Sequence, residues 1–263
     1  MSSGSVDRLK GMAYETIDGV PLWYEVHGQG SPLVCLHGGM LTFDLSFASV
    51  LPWLAASHTV IGVELDGHGH TPASARELSL ERLADDVAEL LDHLGHERAD
   101  VFGFSLGGLV ATALAVRHPE RVNRLVLAAS HFGPDAYHPE IADPAQTSPK
   151  LPTAEDFEVM RQSYVAVAPD PDGFFPQLER LQPLVHAFAG WNDDQIRSIT
   201  SPVLYVIGDD DFVRLEHAIE VQRLLPDVRL AVLPGTTHME VMRRAEPLRT
   251  LVEPFLADAV PPT

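Results

Sequence analysis

The stretch that most restricts the fold is "ADVFGFSLGGL", Ala99 to Leu109. It joins an apolar, β-branched run to a helical pattern through Gly-Phe-Ser-Leu-Gly-Gly. A serine at so sharp a strand-to-helix turn sits in a strained backbone conformation. Its neighbours two residues away on either side must then lack a Cβ, or strand and helix cannot pass. Gly103 and Gly107 hold those places, and Gly108 lets the helix lie close to the strand. The Ser105 hydroxyl would project from the carboxyl edge of a sheet, beside free N–H groups at the helix start. Glycine-rich turns with an idle serine share this pattern, so the rest of the sequence has to supply the chemistry.

The strand-then-helix rhythm continues along the chain. "SPLVCLHG", "HTVIGVELDG", "VNRLVLAAS", "SPVLYVIGD" and "VRLAVLPG" are short apolar runs, several without polar alternation. That pattern predicts strands covered on both faces, as in a parallel sheet. "YETIDGVPLWYEVHG" differs: polar residues and a DG turn predict an antiparallel hairpin at the sheet edge. Between strands, "SLERLADDVAELLDHLG" places Leu80, Leu83, Val87, Leu90, Leu91 and Leu94 on one stripe, with Ser79 as N-cap and Gly95 as terminator. "SLGGLVATALAVRHPE" predicts a second helix that stops near Pro119. The expectation is an α/β protein with a doubly wound, mostly parallel eight-stranded sheet.

The rhythm breaks over residues 131–200, which hold nine of the 21 prolines. "TAEDFEVMRQSYVAVA" and "FPQLERLQPLVHAFA" are helix-like pieces inside it. Too short and too Pro-broken for an independent domain, this segment is expected to be a helical cap inserted after strand six. Residues 14–130 and 201–263 then form the core, and residues 1–13 a flexible N-terminal tail.

A serine hydroxyl becomes nucleophilic only when a base takes its proton, and that base needs a carboxylate to orient it. Both should follow later strands, in the order serine, acid, histidine. "SPVLYVIGDDDFV" is a strand running into three acids, and "VRLAVLPGTTHMEVM" is a strand running into His238. Among Asp209, Asp210 and Asp211, the last lies farthest from the strand end, where the loop can turn its carboxylate back, and is preferred. An oxyanion hole needs two backbone N–H groups. Leu106 should give one, and Gly39, with Met40 second, the other, from the loop after "SPLVCLHGGM". His37 is expected to orient that loop. Met40, Phe132 and Trp191 are candidates for lining the pocket beneath the cap.

With these residues assembled, the chain resembles the α/β-hydrolase superfamily, in its serine-nucleophile esterase and lactonase-like branch, from about Tyr14 to Leu256. The resemblance rests on "LHGG" (36–39), "GFSLGG" (103–108), "VIGDDD" (206–211) and "LPGTTH" (233–238). It implies Ser105 as nucleophile, Asp211 as acid, His238 as base, Gly39 and Leu106 as oxyanion donors, and a cap over the pocket. "ELDGHGHT" is similar to the family's Asp-x-Arg-Gly-His-Gly-x-Ser turn but departs from it, with Glu64, Asp66 and Thr71 in the Asp, Arg and Ser places. Serine at position 105 disfavours siblings that need an aspartate nucleophile. The implied activity is hydrolysis of small-molecule carboxylic esters or lactones through an acyl-enzyme. Cofactor-free haloperoxidase or perhydrolase chemistry and carbon–carbon bond hydrolysis are alternatives on the same three residues, and a small-molecule receptor is a further one.

Composition narrows the partners. With 37 acidic against 18 basic residues, the net charge of −19 repels phosphate backbones and anionic membranes, so the expected partner is a small-molecule substrate, not nucleic acid or membrane. The single cysteine, Cys35, lies in a strand pattern; no intrachain disulfide can form, which fits a cytoplasmic location. No motif asks for a cofactor. The two histidines of "DGHGH" lack a third ligand at convincing spacing, so no metal is expected either.

Overall fold

A computed structural model describes residues 11–142, 148–186 and 188–258. Residues 1–10 of the expected tail lie outside this range. Met12 and Ala13, counted with that tail, instead pair with Glu25 and Tyr24 as the start of the first strand.

Eight strands form one sheet in the order β1-β2-β4-β3-β5-β6-β7-β8. They are β1 (Met12–Ile17), β2 (Val20–His27), β3 (Ser31–Leu36), β4 (His58–Glu64), β5 (Ala99–Phe104), β6 (Val122–Ala128), β7 (Val203–Gly208) and β8 (Val228–Leu233). The hairpin β1–β2 is antiparallel and joins β4 antiparallel at one side; all other pairings are parallel. Asp18 and Gly19 take positive φ at the hairpin tip, as a DG turn requires. Every residue of β5 and of β7 is buried, which explains their unalternating apolar sequences.

The helices cover both faces. In α1 (Leu80–His93), Ser79 accepts a hydrogen bond from the Arg82 amide, and Gly95 closes the end at φ +74°. Its leucine stripe packs against α2 (Leu106–Arg117), which is buried nearly all round. Between β6 and β7 lie α3 (Ala154–Val167), opened by a capping box of Thr153 and Asp156, and α4 (Phe174–His186). The chain then finishes with α5 (Leu215–Leu224) and α6 (Ala245–Ala257). Among the described residues no helix is long and apolar enough to cross a membrane.

The topology decides where a site can form. From β3 the chain moves outward to β4, and from β5 it moves the opposite way to β6. Loops leaving the carboxyl ends of the adjacent strands β3 and β5 therefore diverge and leave a crevice between them. Leu36 pairs with Gly103, so the glycine loop after β3 and Ser105 after β5 flank that crevice directly.

One polar cluster fastens the β6–β7 insertion over it. Asp66, fully buried in the turn after β4, accepts from the Ser74 amide (2.9 Å), the Ser74 hydroxyl (2.5 Å), Arg76 (3.2 Å) and Arg180 of α4 (2.7 Å). Gln177, one turn earlier on α4, donates to the Asp66 carbonyl at 3.0 Å, and Arg76 reaches on to Asp86 of α1 at 2.6 Å. Burial pushes the Asp66 carboxyl up, but the bonds from Arg180 and Ser74 outweigh it and hold it below the usual carboxylate range. The turn after β4 thus carries an acid that pairs with Arg76 and, across to the insertion, with Arg180. Replacing Arg180 by Met leaves Asp66 with Arg76 alone, and we expect a loss of about 3 kcal/mol in urea unfolding. An unchanged midpoint would contradict this fastening.

Candidate active site

The sharp turn at Ser105 is visible in its backbone, at φ 52° and ψ −116°. A side-chain carbon on Gly103 would run into the Gly107 backbone, one on Gly107 into the Leu36 carbonyl, and one on Gly108 into Ser130. Such a conformation costs about 1–3 kcal/mol and persists because the surroundings fix it. Here the Ser105 amide donates to Ala128 of β6 at 2.9 Å, and its carbonyl receives the Gly108 amide at 2.9 Å.

The structure brings Ser105, His238 and Asp211 into one chain of hydrogen bonds. His238 Nε2 lies 2.9 Å from Ser105 Oγ, and His238 Nδ1 lies 2.9 Å from Asp211 Oδ1. Asp211 is fully buried and its Oδ1 also accepts from the Val213 amide at 3.0 Å. A carboxylate at Nδ1 fixes the tautomer with its proton there, so Nε2 presents a lone pair to the serine hydroxyl. The Phe212 ring stacks on His238, with centroids 3.9 Å apart, and Phe104 flanks it at 5.4 Å. The other two acids are elsewhere: Asp209 accepts from the Thr236 amide, and exposed Asp210 faces Lys150.

The loop after β3 is tied down by His37. Its Nδ1–H donates to the Gly38 carbonyl (2.8 Å), and its Nε2 accepts from the Leu65 amide (3.0 Å). Met40 then takes φ 60°, while Gly39 lies against Leu106. A methyl on Gly38 would collide with Leu41, but one on Gly39 would meet Leu106 only at ordinary contact distance, 3.7 Å. Among the described residues the amides of Gly39, Met40 and Leu106 find no acceptor, which leaves donors free beside Ser105.

A cavity of about 340 Å³ opens onto these groups. Met40, Leu41, Leu109, Phe157, Met160, Leu178 and Leu181 give it an apolar wall, with α3 and α4 of the insertion as roof. Two expected lining residues need correction. Phe132 and Trp191 lie one layer behind, edge-on to each other at 5.8 Å, with Phe132 also edge-on to Tyr205 of β7. Their backbones explain it: the Phe132 carbonyl accepts the Trp191 amide, closing the base of the insertion on itself. His131 and Tyr137 line the cavity instead, which the sequence reading missed; His131 follows the end of β6 after Ala129 and Ser130, close to the carboxyl edge.

The "DGHGH" histidines are structural in their contacts. His68 donates to the Asp66 carbonyl, and His70 is paired with Glu64 at 2.8 Å. Asp135, His217 and Glu220 bring their donor atoms within 4.8 Å of one another, but His217 Nε2 accepts the Phe132 amide. The nitrogen facing the two carboxylates therefore carries the ring proton, and the set is not a metal site as it stands.

With this geometry the comparisons with known proteins agree. The sequence profile of the alpha/beta hydrolase fold matches residues 31–180. The chain belongs to the α/β-hydrolase fold family. It is 31% identical over 258 residues to the pimeloyl-[acyl-carrier protein] methyl ester esterase of Neisseria meningitidis, covering 91% of this chain and 78% of that one. It is 30% identical to the 2-hydroxymuconate semialdehyde hydrolase of Pseudomonas sp. strain CF600, covering 88% and 89% of the two chains. Among solved structures, the meta-cleavage product hydrolase CumD of Pseudomonas fluorescens superposes with a TM-score of 0.80, at 23% identity and over 94% and 98% of the two chains. This α/β hydrolase is thus an enzyme of a hydrolase family.

Burial leaves four histidines of this hydrolase short of protons, His217 among them. It pushes His37 down to about 3, and His68 and His131 down to about 4. In the unfolded chain each takes up a proton below about pH 6.5. The unfolded state therefore binds more protons over this window, and stability falls as the pH drops from about 6.5 towards 4. Each histidine contributes a slope of about 1.4 kcal/mol per pH unit. Melting temperatures measured from pH 7 to 4.5 should decline steeply; a flat profile would contradict the buried neutral rings.

Proposed function

We propose that this α/β hydrolase cleaves a small-molecule carboxylic ester or lactone through an acyl-enzyme on Ser105. The observation that carries the reading is the Ser105–His238–Asp211 chain standing at the floor of an apolar cavity. His238 Nε2 takes the proton of Ser105 Oγ as the oxygen attacks the acyl carbonyl carbon. The carbonyl oxygen becomes an alkoxide, held by the Gly39 and Leu106 N–H groups. Asp211 keeps the imidazole in its tautomer and stabilises the imidazolium. His238 next gives its proton to the leaving alkoxide, then draws one from water as the water oxygen attacks the acyl carbon. The adduct collapses, the bond to Ser105 Oγ breaks, Oγ takes back the proton from His238, and the acid is released.

Carbon–carbon bond hydrolysis is the second reading, favoured by the identity to the 2-hydroxymuconate semialdehyde hydrolase. A muconate carries a carboxylate, and holding that charge in an apolar cavity requires a paired cation. No Lys or Arg lines the cavity among the described residues, and Arg180, the nearest on α4, is committed to Asp66. This supports an acyl group without a carboxylate. In the same reading α3 and α4 act as a cap over the substrate, and the net charge of −19 keeps nucleic acid and anionic membranes from being partners. The lone, buried Cys35 suits a cytoplasmic enzyme.

A fluorophosphonate should label Ser105, and Ser105→Ala should lower nitrophenyl ester turnover at least ~10³-fold. Unlabelled Ser105, or unchanged turnover in the purified variant, would overturn the serine mechanism.

A further inference from the structure

Inside the cavity one pair of polar side chains stands apart from the Ser105 chain. His131 is buried, and its Nδ1 lies 3.1 Å from the Gly133 carbonyl oxygen. A carbonyl only accepts, so Nδ1 carries the ring hydrogen. The neutral ring then has a lone pair at Nε2, which lies 2.7 Å from the Tyr137 hydroxyl. The single phenolic proton is therefore spent on His131, and the lone pairs of Tyr137 Oη are what the pair has left to offer. Burial depresses protonation of His131 and also raises the Tyr137 hydroxyl above its ordinary range, so both groups stay neutral and these roles are fixed.

The position of Tyr137 is equally fixed. Its backbone forms an antiparallel bridge with Val213, and the neighbouring His138 amide donates to the Phe212 carbonyl at 3.2 Å. The Tyr137 ring leans on Phe212, centroids 5.8 Å apart, and Phe212 stacks on His238. A hydrogen-bond acceptor on the insertion is thus held against the loop that carries Asp211. Around it the cavity wall is aliphatic and aromatic, and the one amide side chain in the lining, Gln182, is exposed.

We propose that Tyr137, oriented by His131, is a specificity residue that accepts a hydrogen bond from an N–H or O–H group on the substrate. The preferred substrate is an ester or lactone whose apolar acyl part carries one such neutral donor. This rests on the hydrolytic reading of Ser105. An acyl chain without a donor leaves the Tyr137 oxygen desolvated among apolar groups, and one unmade hydrogen bond of this kind is worth about tenfold in kcat/KM.

The test compares 4-nitrophenyl esters of N-acetyl-β-alanine, N-acetyl-4-aminobutyrate and N-acetyl-6-aminohexanoate with their N-methylated twins, which lack the N–H. The wild-type enzyme should prefer the N–H member about tenfold or more in kcat/KM at one chain length at least, and Tyr137→Phe should bring that ratio close to one. Because the twins also differ in size, the change of the ratio in Tyr137→Phe isolates the hydroxyl. His131→Gln, which keeps an acceptor for the Tyr137 proton, should retain more of the preference than His131→Leu. The wild-type arm stands even if a variant fails to fold. Turnover of plain 4-nitrophenyl hexanoate with no preference for any N–H twin, or a ratio unchanged in Tyr137→Phe, overturns this proposal alone. No turnover of any ester overturns the hydrolytic reading and this proposal with it.

Discussion

A backbone that must reverse between β5 and α2 with a side chain at its apex governs the rest of this molecule. Ser105 holds positive φ because the Gly103–Gly107 approach and the Leu36 carbonyl leave no other path for the chain. Local strain of that kind survives only in a framework that does not yield. The framework is β5, buried along its whole length, with β3 and β6 paired on either side and α2 buried against it. Strain and framework together aim the hydroxyl at the crevice that the β3/β5 switch in direction creates. His238 and Asp211 can reach it because β7 and β8 extend the same parallel register, so that their carboxyl-end loops open on the same edge.

The insertion roofs this edge. Its stem is held at Phe132, whose amide donates to His217 and whose carbonyl accepts from Trp191. Its roof is held at the far side by Arg180 and Gln177 on the turn that bears Asp66. Leu178 and Leu181 ride on the same helix, so the ion pair sets the height of the apolar wall above Ser105. Buried ion pairs contribute little net stability compared with apolar packing, but breaking one is expensive. Such a contact suits a part whose position matters more than its adhesion.

The strands were legible because burial on both faces leaves no polar alternation, as in "DVFGF" and "VLYVIG". Ser105, Asp211 and His238 were legible because each follows a strand end, where side chains reach a common edge whatever the intervening chain does. Phe132 was misplaced for the complementary reason. It also follows a strand end, but the direction its ring takes depends on Tyr205 and Trp191, neither of which is near it in sequence. The Asp66–Arg180 contact spans 114 positions; its only signal was an acid in a place where the family carries a base, which calls for a cation without saying from where. Tyr137 lies in the Pro-rich insertion, and its bridge to Val213 follows no periodic pattern.

If Ser105 at the strained turn is a covalent nucleophile, its acyl intermediate can be trapped. Rapid mixing of the enzyme with a 4-nitrophenyl ester, followed by acid quench and peptide mass mapping, reads out any acyl group bound to the chain. One acyl group per chain is expected, carried by the peptide that contains Ser105, with a burst of nitrophenol of matching size. Steady nitrophenol release with no acylated peptide, or acylation at another residue, would contradict it.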